Sequence, residues 1–326
     1  MTVSRSSLLQ GVSFATLATL CWASNFIAPY VVGAYGIHDL MLVRFLFAGV
    51  LGGVGLLVCR AQLRGLRPTQ WLTGLGLGVL GYLGYSSCIA GGVIFGGPTL
   101  VAAFIGAVPV LQALLGNARE RQVRWARLAL PVSLLGGGVV LINLQALAEP
   151  AHAPDAGLGM LFATGAVLSW LMFSVVNQWA MVRLDAHATS AWTCLMMVGA
   201  GLGAAILLPW AAWLHLLRLP VNGLFDVPAL RLYGWAMVIA LFSSVIGAGA
   251  WNLASRRLPM VLSGQLIALE SLFATVFGLA FVGRWPAASE VLGLGLVLVG
   301  TVRAVRAILT PARTSNTPHP PCSRSQ

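Results

Sequence analysis

Glu270 is the one carboxylate of this 326-residue chain that falls near the centre of a long apolar segment. It stands about eleven residues into the stretch Met260–Val282. On a helix rising 1.5 Å per residue that is roughly 16 Å deep, close to the middle of a hydrocarbon layer about 30 Å thick. A carboxylate at that depth must pair, meet water or take a proton. Two functional uses follow: accepting hydrogen bonds from an amine-bearing ligand, or binding and releasing a coupling proton. A structural use stands beside them, in which the protonated acid bonds a neighbouring helix. Arg44 is the basic residue within a span, but on the same arithmetic it lies only about 6 Å below the outer surface. Snorkelling, or pairing with Asp39, is its expected fate.

The other candidates for a binding site are polar or aromatic residues near span centres: Trp22 and Asn25, Tyr82 and Tyr85, Gln112, Trp170, Asn177, Ser243 and Ser244, and Asn252. Trp22 and Asn25 are three apart and share a helix face. Buried amides cost free energy unless bonded, so they either tie helices together or face a wet cavity. Aromatic rings at such positions can stack on a substrate or pack against one another.

Other chemistry finds little support. Gly76-Leu-Gly78-Val-Leu-Gly81 spells GxGxxG, yet it lies inside an apolar span with no preceding strand and no acidic ribose partner. Gly49 and Gly53, Gly74 and Gly78, and Gly199 and Gly203 have the spacing that lets membrane helices approach closely. The five cysteines, Cys21, Cys59, Cys88, Cys194 and Cys322, form no CxxC pair and support neither a disulfide frame nor a metal site. All five histidines, His38, His152, His187, His215 and His319, fall in loops, at span ends or in the tail. An intramembrane enzyme would need a nucleophile with its base, or paired carboxylates, at depth, and none can be assembled. A non-transporting scaffold is the other rival. No cofactor or metal is expected.

The elements that must position these residues are membrane helices. Hydrophobic residues make up 58% of the chain and charged residues 8%, with a mean hydropathy of +0.88. A soluble domain carries about 25% charged residues. No Asp, Glu, Arg or Lys occurs from Ser6 to His38, Pro68 to Ala118, Leu128 to Ala148, Ala156 to Val182 or Leu232 to Ser255. Each gap holds at least one span of roughly 20 residues. The second holds two, with Gly96-Gly97-Pro98 as the turn. The pattern predicts an all-α polytopic membrane protein of ten helices: Leu9–Val31, Leu40–Cys59, Trp71–Phe95, Thr99–Gly116, Leu128–Gln145, Leu158–Ala180, Thr189–Trp210, Leu232–Ala254, Met260–Val282 and Ala288–Ile308. The first is too long for a cleaved signal and recurs internally.

That recurrence organises the chain. Phe14-Ala-Thr-Leu-Ala-Thr-Leu-Cys-Trp22 returns as Phe162-Ala-Thr-Gly-Ala-Val-Leu-Ser-Trp170, six of nine positions identical, each copy opening a series of apolar spans. Five spans per half make the repeats inverted, with a site expected at mid-membrane between them. The expected divisions are 1–145 for the first five-helix repeat, 146–157 for an outer linker, 158–310 for the second repeat and 311–326 for a disordered tail. All nineteen basic residues are Arg. Placing both termini in the cytoplasm puts fifteen of them on that side, as the positive-inside rule requires. Basic loops on an anionic leaflet account for the net charge of +11 without nucleic acid. Ala211–Leu230 forms the longest outer loop, and Trp210, Trp213 and Trp235 suit an interfacial belt.

Several ordered motifs resemble the EamA-type branch of the drug/metabolite transporter superfamily over nearly the whole length. Leu20-Cys-Trp22-Ala-Ser-Asn25-Phe26 is similar to its first-span signature, Val43-Arg44-Phe45 to the Arg-Phe of its second span, and Ala107-Val-Pro109-Val110 to the centre of its fourth. Arg119-Glu120-Arg121, Leu168-Ser-Trp170 and Ala268-Leu-Glu270 continue the series. Ser271 departs from the usual Pro, and Gly283-Arg284-Trp285 lacks the Glu expected after the ninth span. The resemblance implies secondary transport of small metabolites across the inner (cytoplasmic) membrane by alternating access. Amino acids or related compounds are the implied substrates, export the implied direction, and protons a candidate coupling ion.

Overall fold

The computed structural model describes residues 5–121, 123–144 and 154–309, and these are helices and connecting turns, with no strand among them. Most of the 146–157 linker and the tail 311–326 lie outside the described residues, as do His152, His319 and Cys322. The chain is an all-helical, multi-pass membrane protein. Its long helices are α1 (Arg5–Ala23), α2 (Ile37–Val58), α3 (Pro68–Gly97), α4 (Leu100–Glu120), α5 (Trp125–Ile142), α6 (Ala156–Arg183), α7 (Ala186–Trp213), α8 (Val227–Ser255), α9 (Met260–Val282) and α10 (Ala288–Ile308).

Nine of these, α2 to α10, are long and apolar enough to cross a membrane, against the ten expected. The difference is the first. Ser6, Ser7, Gln10, Ser13, Thr16 and Thr19 dilute its apolar character, and Thr16 and Thr19 turn their hydroxyls back onto the carbonyls of Val12 and Ala15. The helix then tightens to a 3₁₀ turn at Ser24–Ile27 before a last turn, Ala28–Val31, with Pro29 near its start. Proline has no N–H to continue the ladder. The expected turn at Gly96-Gly97-Pro98 is present. Gly97 has φ +80°, a conformation open to glycine at little cost, and it parts α3 from α4.

Helix α2 packs on α7 and α5 on α10; α1 lies against α8 and α9, and α6 against α3 and α4. Exchanging the halves five-for-five leaves this set of pairs unchanged. At the α2–α7 crossing Gly49 meets Gly201, and a Cβ added at Gly49 would lie 2.8 Å from the Gly201 Cα. Backbone cannot yield as a side chain does. Gly49→Val is expected to lower stability by about 1–3 kcal/mol, the usual scale of overpacking. Thermal unfolding in detergent measures it, and an unchanged melting temperature would show that this crossing is loose.

Two π-helical segments interrupt corresponding helices, Val79–Gly84 in α3 and Ala240–Gly247 in α8. Such bulges upset the regular carbonyl register and recur at functional sites. Both contribute to the wall of one cavity, Gly81 and Tyr82 from the first segment and Ser243 from the second.

Candidate central cavity

A cavity of about 70 Å³ sits where α1, α2, α3, α4, α6, α8 and α9 converge. Its wall includes Trp22, Asn25, Phe26, Arg44, Tyr82, Tyr85, Ser86, Pro109, Trp170, Ser243, Ile267, Glu270 and Ser271. Of the sequence candidates, Trp22, Asn25, Tyr82, Tyr85, Trp170, Ser243 and Glu270 come together here. Local structure explains much of this. Asn25 sits in the 3₁₀ turn that ends α1, Tyr82 in the π segment of α3, and Ser243 in the π segment of α8. The Ser243 carbonyl, displaced from the regular ladder, accepts the Trp22 indole N–H at 3.2 Å. Gly247 makes room for that ring: a Cβ there would lie 2.9 Å from the indole.

The two tryptophans of the repeated motif meet at the centre. Trp22 and Trp170 stand edge to face with centroids 5.3 Å apart, a favourable aromatic geometry. Trp251 packs on both, and Tyr85 and Phe173 close on Trp170 at 5.2 and 5.3 Å. Trp251 completes this aromatic floor, a place that its position in the sequence does not reveal.

Gln112, Asn177, Ser244 and Asn252 are not on the cavity wall. The Gln112 Oε1 accepts the Trp170 indole N–H at 2.9 Å and the Ser174 hydroxyl at 3.0 Å, which orients Trp170 from behind. Asn177 donates to Asn252 at 2.8 Å and accepts the Trp192 indole N–H at 3.0 Å, while Asn252 donates to Thr193 at 2.8 Å. These groups tie α6, α7 and α8 with buried, mutually bonded amides. Such networks hold helices in register. Ser244 is fully buried, and its hydroxyl has no partner among the described residues.

Glu270 reaches the cavity and has no hydrogen bond to a neighbouring helix among the described residues. The helix around it is continuous: with Ser271 in place of a proline, α9 runs unbroken from Met260 to Val282, and the Ser271 carbonyl accepts the Thr275 hydroxyl at 2.8 Å. Arg44 corrects the expectation placed on it. It neither snorkels nor pairs with Asp39, but turns inward, where its Nη1 donates to Asn25 Oδ1 at 2.6 Å. Asp39 is already engaged. Its carboxylate accepts the backbone N–H groups of Gly36, Arg218 and Leu219, pinning the α1–α2 connection to the one between α7 and α8. Arg44 and Glu270 are the base and the acid of the cavity wall, and they are too far apart for an ion pair.

A second cavity of about 300 Å³ shares Phe26 and Ser271 with the first and extends toward the α9–α10 connection. Arg284 and Glu290 stand in its wall, joined by a two-point salt bridge at 2.6 and 2.8 Å. The Glu290 carboxylate raises the affinity of the Arg284 guanidinium for its proton. On the opposite face polar ties close the bundle. Glu120 accepts the Met260 N–H at 3.1 Å, Gln178 donates to the Leu258 carbonyl at 2.7 Å, and Arg256 donates to the carbonyls of Met181 and Leu184 at the end of α6.

Residues 157–306 match the EamA-like transporter family. The chain is 28% identical over 311 residues to the inner membrane protein YtfF of Escherichia coli K12, covering 92% of this chain and 96% of that one. It is 22% identical to the uncharacterized transporter YyaM of Bacillus subtilis 168, over 93% of this chain and 94% of that one. A crystal structure superposes with a TM-score of 0.68 at 19% identity, covering 94% of this chain and 100% of that one, which speaks to the fold.

Proposed function

We infer the function of this chain from the premise that it belongs to the EamA-like transporter family and is a membrane transporter. It is a secondary carrier that exports small metabolites, amino acids or related compounds, across the cytoplasmic membrane by alternating access. The observation that supports this most is the mid-bundle cavity walled by both halves, with one acid and one base facing it. A carrier needs a site that each half can close in turn. Glu270 takes the substrate amine, and protons supply the driving force.

The halves are inverted repeats, 1–145 and 158–310. The shared packing of α2 with α7 and α5 with α10 supports this, as does the meeting of Trp22 with Trp170. With both termini in the cytoplasm, the closed face carrying Arg256 and Glu120 is the inner one. The larger cavity then leads outward, so this is an outward-facing state. Rocking of the halves would break the ties at Glu120 and Gln178 and open the other side.

Purified protein in liposomes tests the reading by counterflow with a panel of radiolabelled amino acids. Saturable accumulation of at least one is expected. Hydrolytic or transferase turnover with no flux of any solute would overturn the reading. Orientation has its own measurement. Reporter fusions after Arg64, Arg121 and Arg257 are expected to give cytoplasmic signals, and one near Ala153, which lies outside the described residues, an outer one. A cytoplasmic signal at Ala153 would break the five-plus-five count and the inverted repeat with it.

A further inference from the structure

We propose that Arg44, Asn25 and Tyr82 form a carboxylate subsite in the central cavity, so that the carried ligand is a zwitterion with its carboxylate here and its amine toward Glu270. This deepens the transporter reading above and rests on it.

The first observation is an unbalanced charge. Arg44 is only 8% exposed, and among the described residues no carboxylate lies within ion-pair distance of it. A buried cation without a counter-ion is costly, and structures hold one where something else supplies the charge. Asn25 orients the guanidinium through Nη1 at 2.6 Å, and the Phe45 ring lies 4.4 Å from its central carbon. A neutral amide oxygen and a ring face fix the group but do not neutralise it.

The second observation is a pair of unfilled donors. The Arg44 Nε is buried and has no hydrogen-bond partner among the described residues, and the same holds for the Tyr82 hydroxyl. Both residues stand in the wall of the same cavity. The Tyr82 ring is held edge-on against Phe173, at 5.4 Å and 76°, so its hydroxyl is fixed as well. Buried donors are nearly always satisfied, and two left open in one cavity call for an acceptor that arrives with the ligand.

The chemistry of that acceptor follows from the rest of the wall. A guanidinium presents parallel N–H groups that match the two oxygens of a carboxylate. A phosphate would set up to two charges against a single cation, opposite Glu270. An amine lacking a carboxylate would face the Arg44 charge with nothing to offset it. A zwitterion places one charge of each sign against its opposite, in a space of about 70 Å³ that suits a compact head group.

The test uses quenching of the tryptophan fluorescence of the detergent-purified full chain, since Trp22 and Trp170 line the cavity. The probes are alanine, serine and leucine, the amines that remain when each loses its carboxylate, and phosphoethanolamine. At least one amino acid should bind ten- to a hundredfold more tightly than its amine, and Arg44→Gln should erase that preference. Arg44→Lys, which keeps the charge but not the fork, should recover part of it, and Tyr82→Phe should weaken amino-acid binding several-fold. Melting temperatures show that the variants fold. Equal binding of acids and amines, tighter binding of the phosphate ester, no binding of any amino acid, or an unchanged preference in folded Arg44→Gln would each overturn the subsite. Liposome flux of a carboxylate-free solute would leave the transporter reading standing while the subsite falls. Absence of all flux would sink the transporter reading, while fluorescence still decides the subsite.

Discussion

Glu270→Gln is expected to leave the protein folded and to cut flux of amino compounds about ten- to a hundredfold in both gradient-driven and exchange modes. The amide is nearly isosteric and uncharged, and Glu270 has no hydrogen bond to a neighbouring helix to lose among the described residues. What disappears is the anion facing the substrate amine, and hydrogen bonds to charged groups are the stronger kind. Two other results carry different meanings. If gradient-driven accumulation is lost while substrate-for-substrate exchange survives, Glu270 carries the coupling proton and the amine is held elsewhere. If flux is normal in both modes and the melting temperature falls by about 1 kcal/mol equivalent, the residue serves structure, and the functional reading of Glu270 fails. Measuring both flux modes and the melting temperature on one preparation separates the three.

The largest stability effect is expected at Trp170. Its ring touches Trp22, Tyr85, Phe173 and Trp251, and its indole N–H donates to a buried Gln112. Trp170→Ala removes the centre of this cluster and leaves Gln112 with Ser174 alone. Removal of a buried tryptophan costs about 3–5 kcal/mol where the site cannot collapse. Aromatic rings from three neighbouring helices crowd this position and limit collapse, so the upper part of that range is expected. Trp170→Phe keeps most of the packing and should cost less than half as much. Unfolding in mixed micelles measures both. A loss below about 1 kcal/mol for the alanine variant would mean that the aromatic floor is loosely packed, contrary to its geometry.

The same residues show where sequence and tertiary structure divide the work. Hydropathy and charge gaps marked the helices to within a few residues, and Gly96-Gly97-Pro98 marked the turn between α3 and α4, because both signals are local. The first helix was misjudged in its continuity. The break at Ser24–Ile27 follows from short-range backbone chemistry near Pro29 that hydropathy does not register.

The wall of the candidate cavity was half legible. Trp22, Asn25, Tyr82, Tyr85, Trp170 and Glu270 were identifiable because polar and aromatic groups at mid-span stand out against an apolar background. Whether such a group meets the cavity or another helix was not. Asn177 and Asn252 look no different in sequence from Asn25, yet they bond each other and their neighbours on α7 while Asn25 holds Arg44. Arg44 was misplaced because depth along its own helix ignores what lies across from it. Asp39, its expected partner, is taken by backbone N–H groups from a loop about 180 residues away.

By itself, then, the sequence determined that this chain is a bundle of membrane helices with an internal echo, because burial of apolar side chains and the spacing of charges act along the chain. Only the tertiary structure decided which mid-span groups satisfy one another and which are left facing a cavity. The physical reason is rotational. A helix a few tens of degrees different in orientation exchanges a bonded amide for an open one, and that orientation is fixed by contacts such as Gly49 against Gly201, made between residues far apart in sequence.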